Sequence, residues 1–444
     1  MKLKSKSLLA SLCAAAVLVT GGAVVATTSA SAASSACAGV GNYAKQAGKT
    51  VEIMNSVVGL ENSKYVAALL PFEDCTGITV NWNGANDFEA RLPVRVQGGT
   101  APDIAMIPQP GLLQAMVATG KVVKAPAQTL ANVNKYWSSG WKGYGTVNGV
   151  FYAAPNSANN KSLVWYSPKQ FKKNGYTVPT TWTQMMALSD KMAAKKQIAW
   201  CGGLGSGTAT GWPGTDWLEE IVLRTQGAKV YADWISHKVK FSDPQIIAAF
   251  NQVASWMKNP KYVGNVSAIA TTTFQNAGMG IPTGKCNMLQ QASFYASQYP
   301  ADVKVSPTGD VWAYYLPGIN PAVKTPVVGG GEFFAAFNSN PATQEVQNYL
   351  SSPQWAIQRI KSAGSSGGWL SANNGVPAST YTNQLDALSA KYLSDKNSTF
   401  VFDASDAMPA AVGAGSEWTE LTNWFTSKST ADVAAAIDSS WPTN

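Results

Sequence analysis

The sequence predicts an α/β protein of two compact lobes. Three observations carry this: a strand–helix alternation through the first third, a helix-rich middle third, and strand patterns that return after it. The chain has 444 residues; roughly 410 follow a leader-like segment, enough for two domains with a core each. Charged residues make up 13%, about half the usual share, while Trp and Tyr number 16 each. Abundant aromatics among many Asn, Gln, Ser and Thr suit neutral, hydroxyl-rich ligands, although a low-charge secreted surface has the same composition.

At the N-terminus, Met1-Lys2-Leu3-Lys4-Ser5-Lys6 is basic and the run from Leu8 to Ala26 is apolar. Ser29-Ala30-Ser31-Ala32 then offers a small-residue cleavage site. This is the order of a secretory signal peptide, assigned to 1–32. The run is short and diluted by Ala and Gly for a membrane span, and no later stretch is long enough. Removing the leader takes Lys2, Lys4 and Lys6 from a formal net charge of +8. The remaining excess is scattered, without the concentrated basic face of a nucleic-acid binder. Cys13 falls inside the leader. Cys37, Cys75, Cys201 and Cys286 remain, an even set in an oxidising compartment, so two disulfides are expected. Of the three possible pairings, Cys37–Cys75 and Cys201–Cys286 keep each bridge within one predicted lobe. A lipid anchor on Cys37 is the competing reading. Against it, Ser34-Ser35-Ala36 lacks the aliphatic residue such a site wants, and acylation would leave an odd thiol.

The elements follow in order. Val51-Glu52-Ile53-Met54 is a strand, and Ser63 to Cys75 is a helix with Val66, Leu69, Leu70 and Phe72 near one face. Ile78 to Trp82 is the next strand, Phe88 to Val96 a helix, Asp103 to Ile107 a third strand, and Leu112 to Thr119 a short helix. This rhythm implies a sheet covered on both faces, with ligands at the carboxyl ends of its strands. Thr181-Trp182-Thr183-Gln184 reads as a capping box. Asp243-Pro244 opens a helix striped by Ile246, Phe250, Val253 and Met257. Ala313 to Pro317, Val327-Val328 and Phe333 to Phe337 are strand patterns, and Asn340-Pro341 opens another helix. Val433, Ile437 and Trp441 mark a closing helix at i, i+4, i+8. No repeat, low-complexity linker or charge run separates the lobes.

Several blocks then carry a family resemblance. Ala67-Ala68-Leu69-Leu70-Pro71-Phe72-Glu73-Asp74-Cys75-Thr76-Gly77-Ile78, Asp87-Phe88-Glu89-Ala90-Arg91-Leu92 and Gly98-Gly99-Thr100-Ala101-Pro102-Asp103-Ile104-Ala105 are the first three. Leu163-Val164-Trp165-Tyr166, Gly211-Trp212-Pro213-Gly214-Thr215-Asp216-Trp217 and Phe402-Asp403-Ala404-Ser405-Asp406-Ala407-Met408-Pro409 continue them. In this order the chain resembles the extracellular solute-binding proteins of ABC sugar importers. With Pro108-Gln109-Pro110-Gly111, it looks most like the α-glucoside and maltose/trehalose-type branch. The resemblance implies a two-lobed periplasmic-binding-protein-like α/β fold, with a cleft between lobes joined by several crossover segments. It also implies hinged closure, no cofactor and no metal, and membrane permease subunits as partners of a secreted monomer. The lobes are expected at 37–157 plus 323–372 and at 158–322 plus 373–444.

A sugar cleft pairs aromatic platforms for C–H faces with side chains that answer hydroxyl groups. Gln109 qualifies in its Pro-Gln-Pro loop after a strand, and Asp87 before its helix, where capping alone would also explain it. Asn160 is a polar contact that the resemblance implies, just before Trp165 and Tyr166, of which at most one faces the cleft. Trp212, Asp216 and Trp217 form a candidate grip, two indoles flanking a carboxylate in a stiff turn. Glu332 follows Gly329-Gly330-Gly331, which would let backbone approach a ligand closely. Phe294 and Trp369 are further stacking candidates, and Trp418 lies where the family often has an aromatic contact.

Enzyme readings fare worse. Gly364-Ser365-Ser366-Gly367-Gly368 matches G-x-S-x-G, but the only histidine, His237, precedes it and reads as a surface residue. One histidine and two disulfides leave no zinc set, and Gly202 to Gly207 lacks the ending of a phosphate-binding loop. The remaining rivals are a secreted glycoside hydrolase with a carboxylate pair among Asp216, Glu332 and Asp406, and a surface scaffold.

Overall fold

The computed structural model describes residue 37 and residues 39–395 and 397–443; the leader assigned to 1–32 lies outside them. Strand Thr50–Asn55 pairs in parallel with Thr79–Gly84 on one side and Ile104–Ile107 on the other. Phe333–Ala336 joins antiparallel to Ile104–Ile107, and Ala153–Pro155 completes the five-stranded sheet. Side chains alternate between its faces. Ile53, Ile104, Met106 and Phe334 pack against Tyr65, Leu69 and Phe72 of helix Leu60–Thr76. Met54, Ala105, Ile107 and Phe333 pack on the other face, with Phe88 and Leu92 of helix Phe88–Gln97 and with Leu113 of helix Pro110–Ala118. Because both faces are covered, the strand Ile104–Ile107 has no polar member and is buried throughout. Helix Pro110–Ala118 starts two residues earlier than expected, since Pro110 suits the first helical position, leaving Gln109 at its N-cap.

The second lobe holds an antiparallel sheet of Trp312–Tyr315, Leu163–Tyr166 and Met288–Gln290. Val164, Tyr166, Met288 and Tyr314 face a core shared with helices Trp182–Ala194, Trp212–Ile235 and Pro244–Met257. Leu163, Trp165, Leu289 and Ala313 face a smaller core with Tyr295 and Tyr299. Trp165 and Tyr166 do take opposite faces, but both faces are core, so neither ring reaches the cleft. Thr181 caps its helix through a bond from the Gln184 backbone N–H, and Gln184 Oε1 accepts from Thr180 N–H instead of the N-cap amide.

Three extended stretches join the lobes and pair with one another: Asn159–Asn160, Pro326–Gly330 and Thr399–Phe402. Gly329 lies antiparallel to Asn160, and Val328 parallel to Val401. The glycines here serve approach of chain to chain. A Cβ on Gly331 would lie 2.2 Å from the Ser157 carbonyl oxygen and 2.8 Å from the Trp141 ring, and one on Gly329 would lie 2.6 Å from Phe400.

Cys37 pairs with Cys75 and Cys201 with Cys286, at Cα separations of 4.7 and 5.5 Å. These are the two pairings expected, and Cys37 lies in one of them. Among the described residues no helix is long and apolar enough to cross a membrane. Two smaller expectations change. The closing helix ends at Ser439, so Trp441 lies beyond it. There its ring stacks on His237 at 4.1 Å, and His237 also bonds Asp438 at 3.0 Å. His237 is therefore half-buried, a packed residue more than a surface one.

Candidate functional site

A cavity of about 1150 Å³, counted with its mouth, opens where the three crossing stretches meet. Its walls come from both lobes. Ser56, Asn86 and Gln109 follow the carboxyl ends of the three parallel strands, as expected for an open α/β sheet. Glu61 and Glu89 enter from the first turns of the helices Leu60–Thr76 and Phe88–Gln97.

The opposite wall is aromatic. Trp212 meets Phe274 edge-on at 5.0 Å and lies 6.0 Å from Phe294, making a corner of three rings. Gly211 sets that corner: its φ of 118° is open to glycine, and a Cβ there would lie 2.1 Å from the Trp418 carbonyl oxygen. The close contact brings Trp212 and Trp418 into one wall. Trp369 faces them from the first lobe, its indole N–H donating to the Tyr65 hydroxyl at 2.9 Å.

Six of the ten candidate residues line this cavity: Gln109, Trp212, Phe294, Glu332, Trp369 and Trp418. Four do not. Asp87 is half-buried and pairs with Arg91 at 3.3 Å, while its neighbours Asn86 and Glu89 line the cavity. Asn160 is turned away, its Oδ1 accepting from the Ser162 backbone N–H at 3.0 Å. In this extended stretch Ser157, Ala158, Asn159 and Lys161 line the cavity, while Asn160 does not. Trp217 is buried in the second-lobe core against Phe425, because the helix begins at Trp212 and only its first residue reaches the cleft. Asp216 lies behind the wall and holds Lys161.

Lys161 escaped the sequence reading, as a lone lysine with no sequence neighbour to mark it. Its ammonium bonds Asp216 Oδ1 at 2.7 Å and Asp403 Oδ2, and sits 5.4 Å from the Trp212 ring centroid. Asp403 Oδ1 accepts from Ser405 Oγ and the Asp406 N–H, both at 2.8 Å. Carboxylate oxygens of Asp216, Glu219 and Asp403 converge within 4.8 Å of one another, and the ammonium is the cation bonded to two of them. Burial opposes charge on Lys161, but Asp216 and Asp403 together hold its pKa well above the ordinary value. Burial also opposes ionisation of Asp403, yet Lys161 keeps it below the usual carboxylate range. Burial pushes Asp216 up to about 8 against the pull of Lys161.

In the first lobe, burial raises Glu61 to about 7 despite Arg359, whose guanidinium is 3.5 Å away. Burial likewise raises Glu332, which accepts a hydrogen bond from the Ser157 hydroxyl. Two lining atoms, Gln109 Oε1 and Trp418 Nε1, have no protein partner among the described residues. Buried polar groups are normally satisfied, and these two are exceptions in the cavity wall.

A two-lobed α/β chain with an aromatic and polar cavity at its crossing strands is a solute-binding protein. A family profile for bacterial extracellular solute-binding proteins matches residues 60–357, and the chain belongs to that family. It is 35% identical over 413 residues to the osmoprotective compounds-binding protein GgtB of Synechocystis sp., covering 92% of this chain and 96% of that one. It is 31% identical over 410 residues to the alpha-glucosides-binding periplasmic protein AglE of Rhizobium meliloti, covering 89% and 87%. Among solved structures, the bacterial solute receptor AcbH superposes with a TM-score of 0.77 at 18% identity, covering 88% of this chain and 98% of that one. The maltose-bound MalE3 of T. maritima gives 0.65 at 16% identity, covering 88% and 98%. Both confirm the periplasmic-binding-protein-like fold. The chain is a binding protein and not an enzyme, which retires the hydrolase rival; two of its three carboxylates, Asp216 and Glu332, are engaged by Lys161 and Ser157.

Proposed function

We propose that this secreted protein captures a small neutral α-glucoside, such as maltose, trehalose or sucrose, and presents it to the membrane permease subunits of an ABC importer. The observation that carries this is the pairing of Trp212, Trp369 and Trp418 with carboxylates and amides around one cavity. Pyranose C–H faces stack on such rings while hydroxyls exchange hydrogen bonds with the side chains between them. AglE, named for α-glucosides, supports the choice of ligand. Hinged closure of the lobes about the crossing stretches would bring Trp369 and the Trp212 corner onto opposite sides of the sugar. The protein acts as a monomer with no cofactor.

Isothermal titration of the protein lacking residues 1–32 against maltose, trehalose, sucrose and maltotriose tests this, with product analysis of the same mixtures. One-to-one binding with the sugar recovered intact is expected. No binding to any of the four overturns the α-glucoside reading, and released glucose overturns the binding role.

A further inference from the structure

Lys161 is a cation in a cavity otherwise lined by the carboxylates Glu61, Glu89, Glu332, Asp403 and Asp406. It is 5% exposed, and its backbone and side chain reach the other two crossing stretches. Its backbone N–H donates to the Val328 carbonyl at 2.9 Å, and its ammonium bonds Asp403. An ammonium has three N–H donors. Two are used by Asp216 and Asp403, which come from elements 55 and 242 residues away in sequence. The third belongs to a group that lines the cavity beside the Trp212 ring.

We infer that Lys161 is a specificity-determining residue, donating its third N–H to an uncharged oxygen of the ligand while Asp216 and Asp403 cancel its attraction for anions. This rests on the carbohydrate reading above. A bare lysine in a binding site recruits phosphates and carboxylates. Here Asp403 already neutralises the ammonium and Asp216 adds a second acceptor, so no unbalanced positive charge is left to draw an anion. The site therefore takes neutral glycosides and refuses their uronate and phosphate counterparts. A hydroxyl, ring or glycosidic oxygen accepts the lysine's bond without bringing charge.

The test is titration of wild type, K161M, K161R and D403N with two probe pairs: maltose against maltobionate, and sucrose against sucrose 6-phosphate. Circular dichroism and melting curves accompany each variant. Wild type should bind the neutral member at least about tenfold more tightly than the anion. K161M should lose neutral-sugar affinity by about 30-fold or more while staying folded, with partial recovery in K161R. D403N, which removes the ammonium's charged partner, should move the neutral-to-anion affinity ratio toward the anion by about tenfold. Equal wild-type affinity for both members of a pair, or an unmoved ratio in D403N, overturns the inference. So does K161M binding neutral sugar within about twofold of wild type. If wild type binds no neutral sugar at all, the α-glucoside reading has failed instead; if K161M does not fold, the D403N ratio decides.

Discussion

The indole N–H of Trp369 donates to the hydroxyl of Tyr65 at 2.9 Å, across 304 residues of sequence. Tyr65 also accepts from the Asn156 side chain at 3.4 Å, and Arg359 covers its ring at 4.1 Å. A cavity wall is thereby fixed from behind by a residue that does not line it. Y65F should leave the Trp369 N–H buried without its acceptor, costing about 1–3 kcal/mol of stability. It should also weaken sugar binding, since the ring it orients loses its anchor. Melting curves and titration of the same sample check both; unchanged affinity would show that packing alone sets the ring.

Trp212 and Trp217 should separate cleanly on substitution. W212A removes a cavity platform and is expected to cost sugar affinity by about 10- to 100-fold with a small change in stability. W217A empties a core site against Phe425 and should cost about 3–5 kcal/mol of stability. Denaturant unfolding beside titration distinguishes them, and a reversal of the two effects would refute the assignment of Trp212 to the cleft.

Stability should fall as pH rises from about 5 to about 8. Glu61 and Asp386 are raised by burial to about 7, Glu220 to about 6 and Asp216 to about 8. A carboxyl group whose folded pKa lies above its unfolded value binds its proton more tightly when folded. Its stabilising contribution is complete below the unfolded pKa and is lost as pH climbs through the folded one. The lowered carboxylates Glu52, Asp190 and Asp438 act in the other direction, but their effect is exhausted once pH exceeds the ordinary carboxylate range. Melting temperature measured across this window should decline, and E61Q should flatten the slope; a rise toward pH 8 would contradict the burial of these groups.

Reducing the disulfides should lower stability without abolishing the sugar site's chemistry. Cys201–Cys286 closes a loop of 85 residues, and C201S/C286S is expected to cost about 2–5 kcal/mol in chemical denaturation. No loss on substitution or on treatment with reductant would argue that the bridge does not form in solution.

The regular elements were legible because their apolar spacing is unambiguous. Ile104 to Ile107 is apolar throughout since both sheet faces are covered, and Ile246, Phe250, Val253 and Met257 form one buried helical stripe. The site was legible where loops follow strands, as at Gln109, or where glycine forces a turn, as at Trp212. Asn159 lines the cavity and Asn160 does not, and a two-residue strand carries no hydrophobic pattern that would tell the two apart. Trp217 looked like a site residue because an indole at a helix start serves the core or the cleft equally well on paper. Lys161 was illegible, since its meaning lies in carboxylates brought to it by tertiary structure.

The cavity draws its lining from Ser56 through to Trp418. Most of the chain must therefore be folded before any ligand could find a complete pocket, so the sugar cannot template the early steps of folding. It can act only on the finished protein, where it stabilises the folded state by mass action and raises the melting temperature with its concentration.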